Sequence, residues 1–285
     1  MPIEKLSIIL KDAMQHQYGV AAFNVFNYES IKWVILAAQE ERVPVIIQFY
    51  PGYEKHIPMR VVADITRELA KGVTIPIGLH LDHSNSYEQA VSGIKHGFQS
   101  IMMDGSLLPF EENIDVTKRV VEVAHVLDVE VEAELGHVGS GSNLDDYKNT
   151  SHYTKPKSAL EFVQRAKPDS LAIAIGNGHG HYVTTPQIDF IRIEAIRRLV
   201  DVPLVMHGGS DIPDDQLQES IRLGISKFNI ATEYSKAMLG ALGATLMDIT
   251  SFKGYMYGAL RQCEESMITI IRKKIRTLNP NGYQL

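Results

Sequence analysis

The chain has 285 residues, 45% of them hydrophobic and 22% charged, with a formal net charge of −6. This is the composition of an ordinary globular protein, long enough for a barrel of about 250 residues, and no Lys/Arg block offers the basic footprint that a nucleic-acid partner requires. Its lone cysteine, Cys263, excludes a disulfide within the chain and fits a reducing cytoplasm.

The opening residues, Met1-Pro2-Ile3-Glu4-Lys5, lack a basic region followed by an apolar run, and no segment has the length of a membrane span. A cytoplasmic location without a membrane partner is expected. Along the chain, short runs rich in Val and Ile alternate with longer amphipathic runs, the mark of parallel strands buried on both faces. The pattern predicts strand 20–25 and helix 30–41, strand 43–49 and helix 60–70, strand 76–81 and helix 87–96, then strand 100–104 and helix 114–127. It continues with strand 130–135 and helix 157–166, strand 170–175 and helix 189–199, strand 203–206 and helix 214–223, and strand 227–231 and helix 233–247. Ser86 precedes the third helix as an N-cap, and Pro213-Asp214-Asp215 opens the seventh with a proline and early acids.

Eight such units with no GxGxxG opening favour a closed (β/α)8 TIM barrel over an open doubly wound sheet. Residues 257–278 exceed the eight units and read as an additional C-terminal helix, packed outside the barrel or on a neighbouring subunit. No linker interrupts the pattern, so residues 1–285 read as one catalytic domain. The Gly/Ser-rich stretch 137–155 has the length of a mobile lid.

In a (β/α)8 barrel the active site gathers at the C-terminal ends of the strands, and here those ends carry the polar residues. The third ends in Leu79-His80-Leu81-Asp82-His83, the fourth in Asp104-Gly105-Ser106, and the fifth in Glu132-Ala133-Glu134-Leu135-Gly136. The sixth leads into Gly178-His179-Gly180-His181, the seventh into His207-Gly208-Gly209-Ser210, and the eighth ends in Asn229-Ile230-Ala231-Thr232. Three neutral imidazoles with a free fourth position make a catalytic zinc site; His83, His179 and His207 are the candidate ligands, with His80, His137 and His181 competing for a place. Asp82 is a general acid/base if the strand ends there, since strand neighbours otherwise face opposite ways; its other role would be to orient an imidazole. Asp104 and Glu134 would hold a second cation or order the first ligands. The Gly208-Gly209-Ser210 turn and the Asn229–Thr232 stretch suit a phosphate, which barrels often bind after strands seven and eight.

These motifs, in order from Phe23-Asn24 to Thr232-Glu233, resemble the class II ketose-bisphosphate aldolases, of the tagatose-bisphosphate and fructose-bisphosphate type. The resemblance implies one catalytic Zn2+ on His83, His179 and His207, and Asp82 as proton donor to the aldehyde oxygen in condensation. It implies dihydroxyacetone phosphate surrounded by Gly180, Gly208, Gly209, Ser210, Asn229, Ile230, Ala231 and Thr232, with Asn24 also in the substrate site. A monovalent cation (Na+ or K+) near the phosphate and a homo-oligomer, dimer or tetramer, belong to the same expectation. Arg261 in the C-terminal segment is a candidate ligand for a second phosphate. Lys227, on the last strand, would be the nucleophile of a rival Schiff-base mechanism, which would leave the three histidines without a task.

Three departures stand against the family pattern. Relatives carry a Gly-Gly-x-Glu-Asp type segment after Glu-Leu-Gly, whose glutamate exchanges a proton on the enediolate. Here the stretch reads Gly139-Ser140-Gly141-Ser142-Asn143-Leu144-Asp145-Asp146, so either Asp145 or Asp146 substitutes or this step differs. Tyr50-Pro51-Gly52 replaces a small polar residue after the second strand, and Asn177-Gly178 replaces the usual small pair before the metal histidine. The expected reaction is reversible cleavage of tagatose or fructose 1,6-bisphosphate to two triose phosphates. The alternatives are an aldolase for another phosphorylated ketose, such as an inositol-catabolic or sulfo-sugar intermediate, and a catalytically silent partner subunit.

Overall fold

The computed structural model describes residues 2–247 and 255–285. Ten strands occur among them: β1 (Val20–Asn24), β2 (Val45–Phe49), β3 (Ile77–Ser84), β4 (Ser100–Met103), β5 (Glu130–Leu135), β6 (Gly139–Ser140), β7 (Ser170–Ile173), β8 (Gly178–His179), β9 (Leu204–Met206) and β10 (Ile225–Ile230). Eight of them close a parallel barrel in the order β1-β10-β9-β7-β5-β4-β3-β2, and the two-residue strands β6 and β8 pair with each other. The helices are α1 (Leu6–His16), α2 (Tyr28–Glu41), α3 (Met59–Ala70), α4 (Tyr87–Lys95), α5 (Phe110–Val126), α6 (Leu144–Tyr147), α7 (Pro156–Ala166), α8 (Phe190–Arg197), α9 (Asp214–Arg222), α10 (Thr232–Met247) and α11 (Met256–Thr277). The chain is a (β/α)8 TIM barrel with a C-terminal helix, and each predicted strand–helix unit is present with ends shifted by a few residues.

A two-residue side-chain period explains how a barrel so buried can be so polar inside. In β3, Ile77, Leu79 and Leu81 join the apolar cluster shared with the helices, as do Val131, Ala133 and Leu135 of β5. The alternate residues, His80 and Asp82 on β3 and Glu132 and Glu134 on β5, are equally buried and meet other strands through polar contacts. The strands are thus buried on both faces as expected, but in β3 and β5 only the outward row is apolar.

The first helix is absent from the sequence-based reading. In α1 the residues Leu6, Ile9, Leu10 and Ala13 recur at helical spacing and are buried against Val20 and Ala22 of β1 and Ile46 of β2. This apolar stripe seals the N-terminal end of the barrel. Gly78 makes room for it, since a Cβ there would lie 2.7 Å from a Leu6 methyl. Glu130, at the start of β5, accepts the Ser7 amide at 3.0 Å and serves as a remote cap for a helix that has none of its own.

Helix α11 packs on the outside of its own barrel, against α2. Ala259, Cys263, Met267, Ile271 and Ile275 form its buried face, while Lys32 and Trp33 of α2 both donate to Glu264. Arg272 and Arg276 bind Glu41 at the C-terminal end of α2. The Gly/Ser-rich stretch is folded down against the barrel rim. Its strand β6 pairs with β8, Gly141 donates its amide to the His179 carbonyl at 2.7 Å, and Tyr147 is buried edge-on against Tyr182.

Candidate active site

The end of β3 resolves the problem of two neighbouring residues reaching one site. Its pairing with β4 slips between Leu81 and Ser84, so that three steps on β3 match two on β4. His83 sits in that irregularity with φ +40°, a conformation disfavoured for a side chain with a Cβ. The bulge lets Asp82 and His83 line the same cavity. Backbone strain at a cavity wall is the usual company of function.

Three imidazoles converge there from β3, β8 and the residue after β9. His83, His179 and His207 each offer a ring nitrogen within 4.8 Å of the other two. His83 Nε2 and His207 Nδ1 stand 3.0 Å apart, and the other nitrogen of each ring is fixed by a carboxylate. His83 Nδ1 bonds Asp104 Oδ2 at 2.8 Å, and His207 Nε2 bonds Glu132 Oε1 at 3.0 Å. His179 Nε2 is buried without a hydrogen-bond partner. Such a donor set, with carboxylates behind two of its rings, could hold a metal ion, and its inward-facing nitrogens have no better partner than each other.

The charges agree. Burial works against a proton on His83, but Asp82, Asp104 and Glu134 hold it up to about 10. Burial and then the neighbouring His83 push His179 down to about 4 and His207 well below its ordinary value. Burial, then the charge of Asp104, pushes the Glu134 carboxyl up to about 8. Asp104 itself is held well below the usual carboxylate range, because its bond to His83 and the two bonds from Ser106 outweigh burial. The carboxylates around His83 therefore favour positive charge at the meeting point of the rings.

Asp82 is held from two sides. Asn24 Nδ2 donates to its Oδ2 at 2.9 Å and Asn229 Nδ2 to its Oδ1 at 3.3 Å, while Gln48 in turn fixes Asn24 at 3.0 Å. Below it, Lys227 donates 2.8 and 3.0 Å bonds to the two oxygens of Glu132, and both side chains are fully buried. Lys227 is thus tied down inside the barrel. The cavity above has a volume of about 440 Å³ and is lined by Asn24, Tyr50, Asp82, His83, His179 and Thr232 among others.

The sequence matches the family model described as fructose-bisphosphate aldolase class-II over residues 4–283. The chain belongs to this family. The class II aldolase is a carbon–carbon lyase, and its fold is close to that of the YdjI aldolase from Escherichia coli K12, at 35% identity over 97% of each chain with a TM-score of 0.84. It is also similar to the fructose-bisphosphate aldolase (Fba) from Campylobacter jejuni, at 24% identity over 96% of this chain and 94% of that one, TM-score 0.82, a likeness of fold.

Most residues expected at the aldolase site lie on one cavity wall: Asn24, Asp82, His83, Asp104, Glu134, His179, Gly180, Gly208, Ser210, Asn229, Ala231 and Thr232. Others do not line it. Gly209 donates its amide to the Asn229 carbonyl at 3.0 Å, and Ile230 points into the outer apolar cluster. Arg261 lies on α11, with a side chain 61% exposed and 3.6 Å from Glu264. Asp145 and Asp146 also stand off the lining. His80 bonds Ser100 within the barrel, and His181 approaches Lys236 at the surface, which removes both from the ligand competition.

The sequence reading passed over Glu132 as a partner for a histidine. The signal was there: the Glu-Val-Glu-Ala-Glu-Leu alternation of β5 puts Glu130, Glu132 and Glu134 on one face. Tyr53 at the cavity wall and Leu107 beyond the end of β4 carried no comparable signal.

Proposed function

We propose that this aldolase catalyses the reversible, zinc-dependent cleavage of a ketose 1,6-bisphosphate, of the tagatose or fructose type, to dihydroxyacetone phosphate and glyceraldehyde 3-phosphate. The observation that carries the reading is the convergence of His83, His179 and the fully buried His207 at the wall of a cavity that Asp82, His83 and His179 line. The residues fit the ion, since two rings are oriented by carboxylates and the third holds a buried nitrogen with no partner. Bound there, the zinc would supply a Lewis acid that polarises the ketose carbonyl and stabilises the charge left when the C3–C4 bond breaks.

Asp82 takes the proton of the C4 hydroxyl in cleavage and returns it to the aldehyde oxygen in condensation. Asn24 and Asn229 aim its carboxylate. The phosphate of the dihydroxyacetone half is held where Gly180, Gly208 and Ser210 face Ala231 and Thr232 at the start of α10. There a helix N-terminus and turns without Cβ atoms favour an anion. A coupled assay of triose phosphate release tests the reading: activity falls to background after chelation and returns with added zinc. Full turnover in a chain verified free of metal would reject it.

One feature favours a second reading. The described residues that line the cavity include no Lys or Arg, Arg261 lies off it, and Tyr50 and Tyr53 stand on its wall. Such a wall suits a phosphorylated ketose whose far end is uncharged. Comparing kcat/KM for hexose bisphosphates against ketose 1-phosphates decides between the two.

A further inference from the structure

A third cluster of titratable groups lies beside the site and has no part in the scheme above. Asp146 of α6 is clamped through Oδ2, which accepts the Ser140 amide at 2.9 Å. Gly139 leaves it room, since a Cβ there would come within 2.6–2.8 Å of the carboxylate. The free Oδ1 faces two imidazoles, 3.5 Å from His137 Nε2 and 3.6 Å from His152 Nδ1. The two rings are 5.5 Å apart, and the His137 amide donates to the His152 carbonyl at 2.9 Å. His137 lines the cavity together with Asp82, His83 and His179. Its Nδ1 is buried with no hydrogen-bond partner.

Aldol cleavage needs two proton transfers at different atoms. One proton leaves the C4 hydroxyl. The other arrives at C3, the carbon that keeps the electron pair of the broken bond. Asp82 accounts for the first. Among the other titratable groups on the cavity wall, His83 and His179 face the ion site and Asp104 is bonded to His83. Glu134 accepts the Val138 amide and lies 3.5 Å from His207. Tyr50 and Tyr53 are phenols, a group that is a poor base at neutral pH, and burial raises Tyr53 further. His137 is left.

We propose that His137 is the catalytic residue that exchanges the proton at C3, and that Asp146 is the positioning residue behind it. Nδ1 is buried, so the exchanging atom is Nε2, the nitrogen that Asp146 Oδ1 faces at 3.5 Å. In cleavage the imidazolium gives its proton to C3, where the electron pair of the former C3–C4 bond forms the new C–H bond. The neutral ring then takes a proton from water. In condensation the neutral ring removes the C3 proton and leaves the pair for bond formation to the aldehyde. The inference rests on dihydroxyacetone phosphate being the retained half, as proposed above.

The test is deuterium exchange into dihydroxyacetone phosphate in D2O, followed by proton NMR with metal-loaded enzyme and no aldehyde. His137→Ala should lower the exchange rate by about two to four orders of magnitude with metal content unchanged, and added imidazole should restore part of it. Asp146→Asn should lower the exchange kcat by about tenfold with KM unchanged, and Asp146→Glu should recover it. Should the alanine variant fold poorly, His137→Gln is expected to show the same loss of exchange. Exchange within about threefold of the native rate in either folded variant overturns the proposal. So does a loss that imidazole leaves untouched, or a loss confined to Glu134→Gln. If the native enzyme itself exchanges nothing, it is the assignment of dihydroxyacetone phosphate that fails.

Discussion

The two ends of the barrel are built from the same strands and behave as opposites. At the N-terminal end, α1 lays Leu6, Ile9, Leu10 and Ala13 over Val20, Ala22 and Ile46, an apolar plug with little polar chemistry beyond the Glu130 bond to Ser7. At the C-terminal end the same inward rows carry Asn24, Asp82, Glu134 and Asn229, and some buried polar atoms, His179 Nε2 and Glu134 Oε2 among them, have no partner. Burying a polar side chain gains less than burying an apolar one, so the upper end is less stable than it would be with apolar residues. One end therefore carries stability and the other gives some of it up for chemistry, as barrel enzymes generally divide these tasks.

Substitutions at each end should separate the two properties. The largest effect is expected from Asp82→Ala, which should lower turnover by about two to four decades while metal content and melting temperature stay close to native; a steady-state assay with metal analysis checks it, and an unchanged rate would remove Asp82 from the chemistry. At the opposite end, Leu10→Ala opens a cavity under α1 and should cost about 2–5 kcal/mol of stability in a denaturant titration. The activity per folded molecule should be unaltered, and a matching loss of kcat would show that the ends are not independent.

Between the ends, Glu132→Gln tests the link from Lys227 through Glu132 to His207. Loss of the carboxylate that orients His207 should weaken metal binding by about 10–100-fold in a chelator competition. Lys227→Met should follow the same direction, since it leaves the buried Glu132 charge without its cation.

The smallest effect concerns α11. Arg276 and Arg272 hold the Glu41 carboxyl below its ordinary value of 4.5, although burial works the other way. A lowered carboxylate pKa stabilises the fold above the unfolded value and ceases to do so as pH falls through the folded one. Glu41→Gln should therefore lower the melting temperature at neutral pH by an amount worth about 1 kcal/mol or less. The difference from the native chain should shrink as the pH falls below the ordinary carboxylate value and vanish below the lowered folded one. A difference that persisted in acid would mean that Glu41 acts through packing.

How much of this could be read in the sequence varies element by element. The eight strand–helix units were legible because burial on both faces forces Val/Ile-rich runs, and helices between them repeat on a different period. Helix α1 was equally regular, with its buried residues at spacings of three and four, but it precedes the first strand and so falls outside the repeat that organised the reading. The polar strand ends were legible too, which is why His83, His179 and His207 could be grouped although nearly a hundred residues separate the first two.

What the sequence determined by itself was therefore the barrel, the rim that carries the chemistry and the residue types gathered there, because local periodicity and strand polarity are written in consecutive residues. Which nitrogen faces which, that a bulge turns both Asp82 and His83 to one cavity, that Glu132 anchors His207, and that Asp146 stands behind His137 were decided by tertiary structure. The contacts of His207 with His83 and Glu132 join residues far apart in the chain at 3.0 Å. Closing the barrel fixes such distances, and no local pattern encodes them.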